Sequence, residues 1–229
     1  MISEDFSFTV GNETLAATRL LATPDALPEI VTFHGLGKTA NRHTTLYLLE
    51  RLAALGHSSI RFEFSGNGDS TGTLENTNLR TRLNEGAAAV ELLPATVRPV
   101  LIGTSMGGHI AASLIAAVKP KVLILFCPAA YPQEALEVNF GSGLPRPDNY
   151  ENSSAFAGIR AFRGNLLIIG ARNDQVVASR VIEKYLREAV LARSKQVIWL
   201  DDCDHFIHRW LPDQNTLLSS VISTISKLI

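Results

Sequence analysis

Short apolar runs alternate with segments of helical periodicity along most of the chain. The segments between the runs repeat apolar residues at spacings of three and four, as a helix with one buried face does. The pattern predicts strands over residues 30–33, 59–64, 100–103, 122–126, 165–170 and 196–200, and helices over residues 46–55, 79–93, 110–118, 179–192 and 217–228. Strands that are apolar throughout are buried on both sides, so we predict an α/β fold in which a mostly parallel sheet carries helices on both faces.

The beginning of the chain follows a different pattern. Apolar and polar residues alternate from Phe6 to Val10, a Gly-Asn pair then signals a turn, and residues 15–21 run back. This pattern is typical of an antiparallel hairpin, which we place at one edge of the sheet. No internal repeat is present, and we expect residues 1–229 to form a single domain.

Residues 128–164 interrupt the alternation, because they show no strong periodicity and are rich in glycine, proline and polar residues. They connect two predicted strands, and a crossover between parallel strands needs only about a dozen residues. One interpretation is a short cap or lid, whose apolar side chains Phe140 and Leu144 would line an acyl pocket. The alternative is a plain crossover helix with a surface loop.

Composition narrows the classes of partner. Of the 229 residues, 46% are hydrophobic and 19% charged, and the net charge is −1 without a block of like charges. We therefore expect neither nucleic acid nor an anionic membrane surface as the main partner, and the apolar runs are too short to span a bilayer. The first residues do not resemble a signal peptide, and Cys127 and Cys203 are expected to be free thiols, so we predict a cytoplasmic protein. The oligomeric state stays open.

The motif that organises the chain is Gly-x-Ser-x-Gly, formed by Gly103, Ser105 and Gly107. A predicted strand precedes it and an alanine-rich helix follows it, which is the context of a nucleophile elbow. A serine at such a sharp turn exposes its hydroxyl above the sheet, and small residues on either side let strand and helix backbones pass closely. The motif predicts that Ser105 is a nucleophile.

A serine hydroxyl needs a base, and the base needs an orienting carboxylate. In a parallel sheet such groups follow the carboxyl ends of strands. His205 follows the last predicted strand and is our candidate base, with His208 in reserve. Asp174 follows the strand at residues 165–170 and is our candidate acid. The order Ser105, Asp174, His205 is that of the α/β-hydrolase triad.

An oxyanion formed at Ser105 needs two N–H donors. The backbone of Met106, directly after the nucleophile, should supply one. The other should come from Leu36, in a glycine-containing loop that follows an early strand. His34 and Gly35 belong to the same loop, and we expect them to border the substrate pocket.

Other chemistries lack their signatures in the sequence. No Gly-Lys-Ser/Thr closes a phosphate-binding loop, and neither His-x-x-x-His nor Cys-x-x-Cys occurs. We therefore expect no metal and no cofactor.

Taken together, the motifs resemble those of the α/β-hydrolase superfamily. The matching positions run in order through almost the whole chain: His34-Gly35, residues 61–72, Gly103-Thr104-Ser105-Met106-Gly107-Gly108, residues 170–177 and Asp204-His205-Phe206. Within the superfamily the chain is similar to the esterase and serine-aminopeptidase-like branch, which includes cinnamoyl esterases and monoacylglycerol lipases. It departs from that branch at Glu63, where aspartate is usual, and at Asn67, where histidine is frequent. The resemblance implies an α/β-hydrolase fold with a short cap insertion.

These features favour a serine hydrolase that cleaves a carboxylic ester of a small molecule through an acyl-enzyme, with thioesters and amides as close variants. An acyltransferase or a thioesterase would use the same three residues. A noncatalytic binding protein on this fold is the third hypothesis, and the presence of Ser105, Asp174 and His205 together argues against it.

Overall fold

The computed structural model describes residues 1–143 and 150–229. The strands in this part are β1 (Ile2–Val10), β2 (Glu13–Leu21), β3 (Pro28–Phe33), β4 (Ser58–Phe62), β5 (Val100–Thr104), β6 (Val122–Phe126), β7 (Asn165–Ala171) and β8 (Ser194–Leu200). They form one sheet in the order β1-β2-β4-β3-β5-β6-β7-β8.

Helices connect the strands. They are α1 (Leu46–Ala54), α2 (Leu79–Glu91), α3 (Met106–Ser113), α4 (Ile115–Val118), α5 (Ser154–Ala161), α6 (Ser179–Glu188), α7 (Ile207–Trp210) and α8 (Asn215–Leu228). None of these helices combines the length and the apolar character that crossing a bilayer requires.

Strand direction brings the loops of interest to one edge of the sheet. β1 pairs antiparallel with β2, and β2 pairs antiparallel with β4, whereas β3 to β8 are parallel to one another. The carboxyl ends of β3, β5, β6, β7 and β8 therefore share an edge. The predicted mostly parallel sheet with an N-terminal antiparallel hairpin is confirmed.

Two separate cores cover the two faces of the sheet. Because side chains alternate along a strand, Val31 and Leu101 face one core while Ile30 and Ile102 face the other. The first core is completed by α2, α3, α5 and α6, and the second by α1 and α8. The continuous apolar character of the strands follows from this burial on both faces.

Element boundaries near the last strand differ from the prediction. α6 ends at Glu188 rather than at residue 192, because the backbone of Ala189 leaves the helical region. Val190 and Leu191 consequently lie exposed in the connection. β8 begins at Ser194, two residues earlier than predicted, because its polar first residues extend the pairing with β7.

The insertion contains a helix, α5, whose bounds the weak periodicity of residues 128–164 did not predict. α5 packs against α3, and a Cβ on Gly158 would lie 2.0 Å from the backbone oxygen of Ala112. A glycine that allows such close backbone contact also weakens the apolar repeat from which helices are predicted. Residues 133–135 and 140–142 form 3₁₀ turns. The part of the insertion that the structure describes thus supplies a crossover helix preceded by turns.

Candidate active site

The elbow holds Ser105 in a conformation that few non-glycine residues adopt. Its φ of 52° and ψ of −114° lie outside the usual regions for an L-residue. A Cβ on Gly107 would lie 2.1 Å from the carbonyl oxygen of Phe33, and one on Gly103 would lie 2.5 Å from that of Gly107. The turn therefore requires both glycines, because β3, β5 and α3 approach within backbone contact.

Three side chains from three different loops meet above the sheet edge. His205 Nε2 lies 3.1 Å from Ser105 Oγ, and His205 Nδ1 lies 2.8 Å from Asp174 Oδ2. An imidazole whose Nδ1–H donates to a carboxylate keeps Nε2 free to accept the serine proton. The contacts have the geometry of a nucleophile, a base and an orienting acid.

The carboxylate of Asp174 is fixed from several directions. Its Oδ1 accepts hydrogen bonds from the backbone N–H groups of Val176 and Val177, each at 2.8 Å. Burial favours the neutral acid, but the hydrogen bonds from His205, Val177 and the Cys127 thiol outweigh it, so the pKa of Asp174 lies below its ordinary value. Asp174 is consequently a charged acceptor at neutral pH.

His208, the reserve candidate, is engaged elsewhere. Its Nε2 lies 2.7 Å from Thr104 Oγ1, and its Nδ1 lies 3.0 Å from the hydroxyl of Tyr47. Burial, with the nearby His205 charge adding to it, lowers the pKa of His208 to about 4. Both ring nitrogens are occupied, so His208 is not available to Ser105 as a base in this arrangement.

The loop after β3 lies beside the elbow. A Cβ on Gly35 would lie 3.5 Å from the Cβ of Ser105. Within residues 1–143 and 150–229, neither the Leu36 nor the Met106 N–H donates a hydrogen bond to a protein acceptor. Both predicted oxyanion donors are therefore free to bind a substrate oxygen.

His34 supports this loop from beneath. Its Nε2 accepts from the Phe64 N–H at 3.1 Å, which places the ring proton on Nδ1, where it faces the Gly35 carbonyl at 2.8 Å. Burial lowers the pKa of His34 to about 4. The ring joins the ends of β3 and β4 and does not border the cavity at Ser105, whereas Gly35 does.

A cavity of about 480 Å³ opens at Ser105. Its wall is formed by the loop after β3, the start of α1, the elbow and the segment after His205: Gly35, Leu36, Thr39, Ala40, Asn41, His43, Thr44, Tyr47, Thr104, Ser105, His205, Phe206, Ile207, His208 and Arg209. A cavity of this volume suits a small substrate.

The structure does not bring Phe140 to this cavity. Phe140 instead packs against the buried Arg82 guanidinium, whose carbon lies 5.5 Å from the ring centroid. The backbone of Phe140 is held there by a hydrogen bond from its N–H to Thr77 O. Leu144, the other predicted pocket residue from the insertion, lies outside the described residues.

Cys127 adds a thiol next to the three meeting side chains. One ligand atom from each of Cys127, Asp174 and His205 lies within 4.8 Å of the others, a spacing compatible with a metal ion. However, both nitrogens of His205 already contact Ser105 and Asp174, so the ring has no free lone pair for a metal while those contacts persist. The donor set fits proton transfer better than metal binding.

Sequence reasoning missed much of the cavity wall. No sequence motif includes Tyr47, His43 or Arg209. Thr104 occupies a variable position of the Gly-x-Ser-x-Gly motif, so the motif assigns it no role. Tyr47 and His208 are 161 residues apart in the chain, so no local pattern could have paired them. Their proximity depends on where α1 and the segment after β8 pack.

Comparison with known families gives one match. Residues 24–146 match the family described as serine aminopeptidase, S33. No curated protein matches the sequence.

Solved structures with the same fold are numerous. An α/β serine hydrolase without a lid, XC6422 from Xanthomonas campestris, is 21% identical with a TM-score of 0.67, and the alignment covers 97% of this chain and 94% of that one. Est1E from Butyrivibrio proteoclasticus, solved with bound ferulic acid, is 18% identical with a TM-score of 0.76 over 97% and 98% of the two chains. Mouse α/β hydrolase domain-containing protein 10 is 19% identical with a TM-score of 0.69 over 99% and 100%.

Proposed function

This chain belongs to the serine aminopeptidase S33 family of α/β-hydrolases, and from that premise we propose that it hydrolyses a carboxylic ester through an acyl-enzyme on Ser105. The observation that carries the proposal is the position of His205, whose two ring nitrogens contact Ser105 Oγ and Asp174 Oδ2. A base held between a nucleophile and a carboxylate is the arrangement that acyl transfer requires.

In the proposed acylation step, Ser105 Oγ attacks the ester carbonyl carbon while His205 Nε2 takes its proton. The negative charge on the carbonyl oxygen is stabilised by the N–H groups of Leu36 and Met106. Asp174 stabilises the imidazolium through Nδ1–H. The tetrahedral intermediate then collapses, and the alcohol leaves with the proton that His205 returns.

Deacylation repeats the same steps with water. His205 takes a proton from the water, the resulting oxygen nucleophile attacks the acyl carbon, and Ser105 leaves as the restored hydroxyl. The exposed mouth of the cavity supports access for this water. An alcohol that entered in place of water would give acyl transfer instead of hydrolysis.

The first test is active-site labelling together with ester hydrolysis. A fluorophosphonate should modify Ser105, and the protein should hydrolyse p-nitrophenyl acetate. Ser105→Ala should abolish labelling and lower kcat by roughly 10⁶-fold, by analogy with other triads. Ser113→Ala is the matched control: it removes a hydroxyl from α3, the helix that follows Ser105, and among the described residues this hydroxyl contacts only Ser154.

Two outcomes would contradict the proposal. One is labelling of a residue other than Ser105, and the other is a rate for Ser105→Ala within tenfold of the unaltered protein. Product analysis with methanol added to the reaction separates hydrolysis from acyl transfer, because transfer would yield the methyl ester.

A further inference from the structure

A chain of three polar side chains runs along the cavity wall beside Ser105. The ring of His208 lies between the Tyr47 hydroxyl and Thr104 Oγ1, at 3.0 Å and 2.7 Å. The same ring packs on Phe126 with 4.7 Å between centroids, so its orientation is fixed by the sheet beneath it. Tyr47, His208 and Thr104 all line the cavity.

The number of hydrogen-bond donors in the Tyr47–His208–Thr104 group follows from the charge of His208. His208 is neutral at pH 7, because its pKa is about 4, and a neutral imidazole has one N–H donor and one acceptor nitrogen. When Tyr47 donates to Nδ1, Nε2–H donates to Thr104 and the Thr104 hydroxyl hydrogen is unused. When Thr104 donates to Nε2, Nδ1–H donates to Tyr47 and the Tyr47 hydrogen is unused.

Either arrangement leaves one hydroxyl hydrogen directed away from His208. Within the described residues, neither the Tyr47 nor the Thr104 hydroxyl makes a further hydrogen bond. No aspartate or glutamate lines the cavity in this part of the chain, whereas Asn41 and Arg209 add further N–H donors. The wall therefore offers hydrogen-bond donors and lacks carboxylate acceptors, so an oxygen atom of the substrate is the complementary partner.

Thr104 directly precedes Ser105 in the chain, and both residues line the same cavity. We propose that Tyr47, His208 and Thr104 form a specificity subsite that donates a hydrogen bond to an oxygen atom in the acyl chain. Esters of oxygen-substituted acids are then preferred to alkyl esters of equal size. This inference rests on the proposed ester hydrolysis at Ser105, and His208 acts in it as a positioning residue.

The experiment uses two p-nitrophenyl esters of equal chain length. Methoxyacetate differs from butyrate by one ether oxygen in place of one methylene, and the leaving group is the same. The intrinsic difference in reactivity is common to all variants, so a change in the ratio of kcat/KM reports on the site. Tyr47→Phe combined with Thr104→Val should lower the methoxyacetate-to-butyrate ratio about fivefold, the scale of one hydrogen bond.

Two further variants test the role of His208. His208→Leu should also lower the ratio, because the hydroxyl groups lose the partner that orients them. His208→Gln should restore part of it, since an amide again offers a donor and an acceptor. Tyr131→Phe is the matched control: Tyr131 also lies beside a histidine, 5.1 Å from the His109 ring, but not on the cavity, and this change should leave the ratio unaltered.

The possible failures are distinguishable. A ratio within twofold of the unaltered protein in the double variant, with both esters still hydrolysed, overturns the subsite and leaves the proposed function standing. Absence of hydrolysis of either ester by the unaltered protein overturns the proposed function. Thr104→Ala replaces Thr104→Val if the latter does not fold, as judged from the melting temperature.

Discussion

At the scale of single residues, the surroundings of His205 differ from those of three buried histidines. Burial lowers the pKa of His34 and His208 to about 4 and that of His109 to about 3, so these three rings are uncharged at pH 7. His205 differs in having a carboxylate at Nδ1 and a serine hydroxyl at Nε2. These contacts are the reason that we propose His205, and none of the three buried histidines, as the base.

The role of Asp174 can be tested without removing its loop contacts. In Asp174→Asn the side-chain oxygen can still accept from Val176 and Val177, but the negative charge that stabilises the imidazolium is lost. We expect kcat/KM to fall by roughly 10⁴-fold, with little change in melting temperature. Asp202→Asn, an exposed acid in the loop before His205, is the control and should keep full activity. Equal effects of the two changes would contradict the assignment.

At the scale of elements, the site depends on how closely the elbow packs against β3. Gly107 allows the first turn of α3 to contact the carbonyl of Phe33, and Ser105 O in turn accepts from Ala129 N after β6. The backbone of Ser105 is thus held by contacts with the strand ends on either side of β5. Rigid elements, rather than the loops themselves, place Ser105 relative to the proposed oxyanion donors.

A methyl group on Gly107 should break this contact. Its Cβ would lie 2.1 Å from a backbone oxygen, which cannot move away as a side chain could. We expect Gly107→Ala to lower the melting temperature strongly and to abolish fluorophosphonate labelling. Gly35→Ala is the stability control, because its Cβ would meet Ser105 and Thr104 at ordinary contact distances of 3.5 and 3.6 Å. A melting temperature for Gly107→Ala as high as that for Gly35→Ala would contradict this packing argument.

The insertion can be tested through Phe140. Because its ring packs over Arg82 and not at the cavity, Phe140→Ala should lower the melting temperature and leave the octanoate-to-butyrate ratio of kcat/KM within twofold. Phe206→Ala, on the cavity wall and half exposed, should shift that ratio severalfold with a smaller effect on stability. A large shift in the ratio for Phe140→Ala would show that the insertion reaches the acyl group.

At the scale of the whole molecule, the sheet organises both stability and chemistry. Its two faces are each covered by a separate core, and its carboxyl edge collects the loops after β3, β5, β7 and β8. The three neutral histidines lie where these parts join. His34 links β3 to β4, His208 links α1 to the elbow, and His109 accepts from Ser153 in the insertion.

Their lowered pKa values predict an acid-sensitive fold. Between about pH 6.5 and pH 4 the unfolded chain binds protons at His34, His109 and His208 that the folded chain excludes. Stability should therefore fall as the pH decreases through this window. Urea midpoints measured from pH 7.5 to 5 should reveal uptake of up to three protons on unfolding, and His109→Gln should reduce that number by one. A midpoint independent of pH over this range would contradict the prediction.

The sequence by itself determined the fold and the three residues that meet at His205. Strand and helix periodicity is local, the elbow glycines are required by backbone sterics, and the rule that sites follow the carboxyl ends of parallel strands selected Ser105, Asp174 and His205. Only the tertiary structure shows that His205 contacts Ser105 and Asp174 while His208 contacts Tyr47 and Thr104, because the partners of each ring come from distant segments. It also placed Phe140 on Arg82 and brought Tyr47 to His208, 161 residues away. Such contacts depend on how helices pack on the sheet, and residue spacing along the chain does not encode that packing.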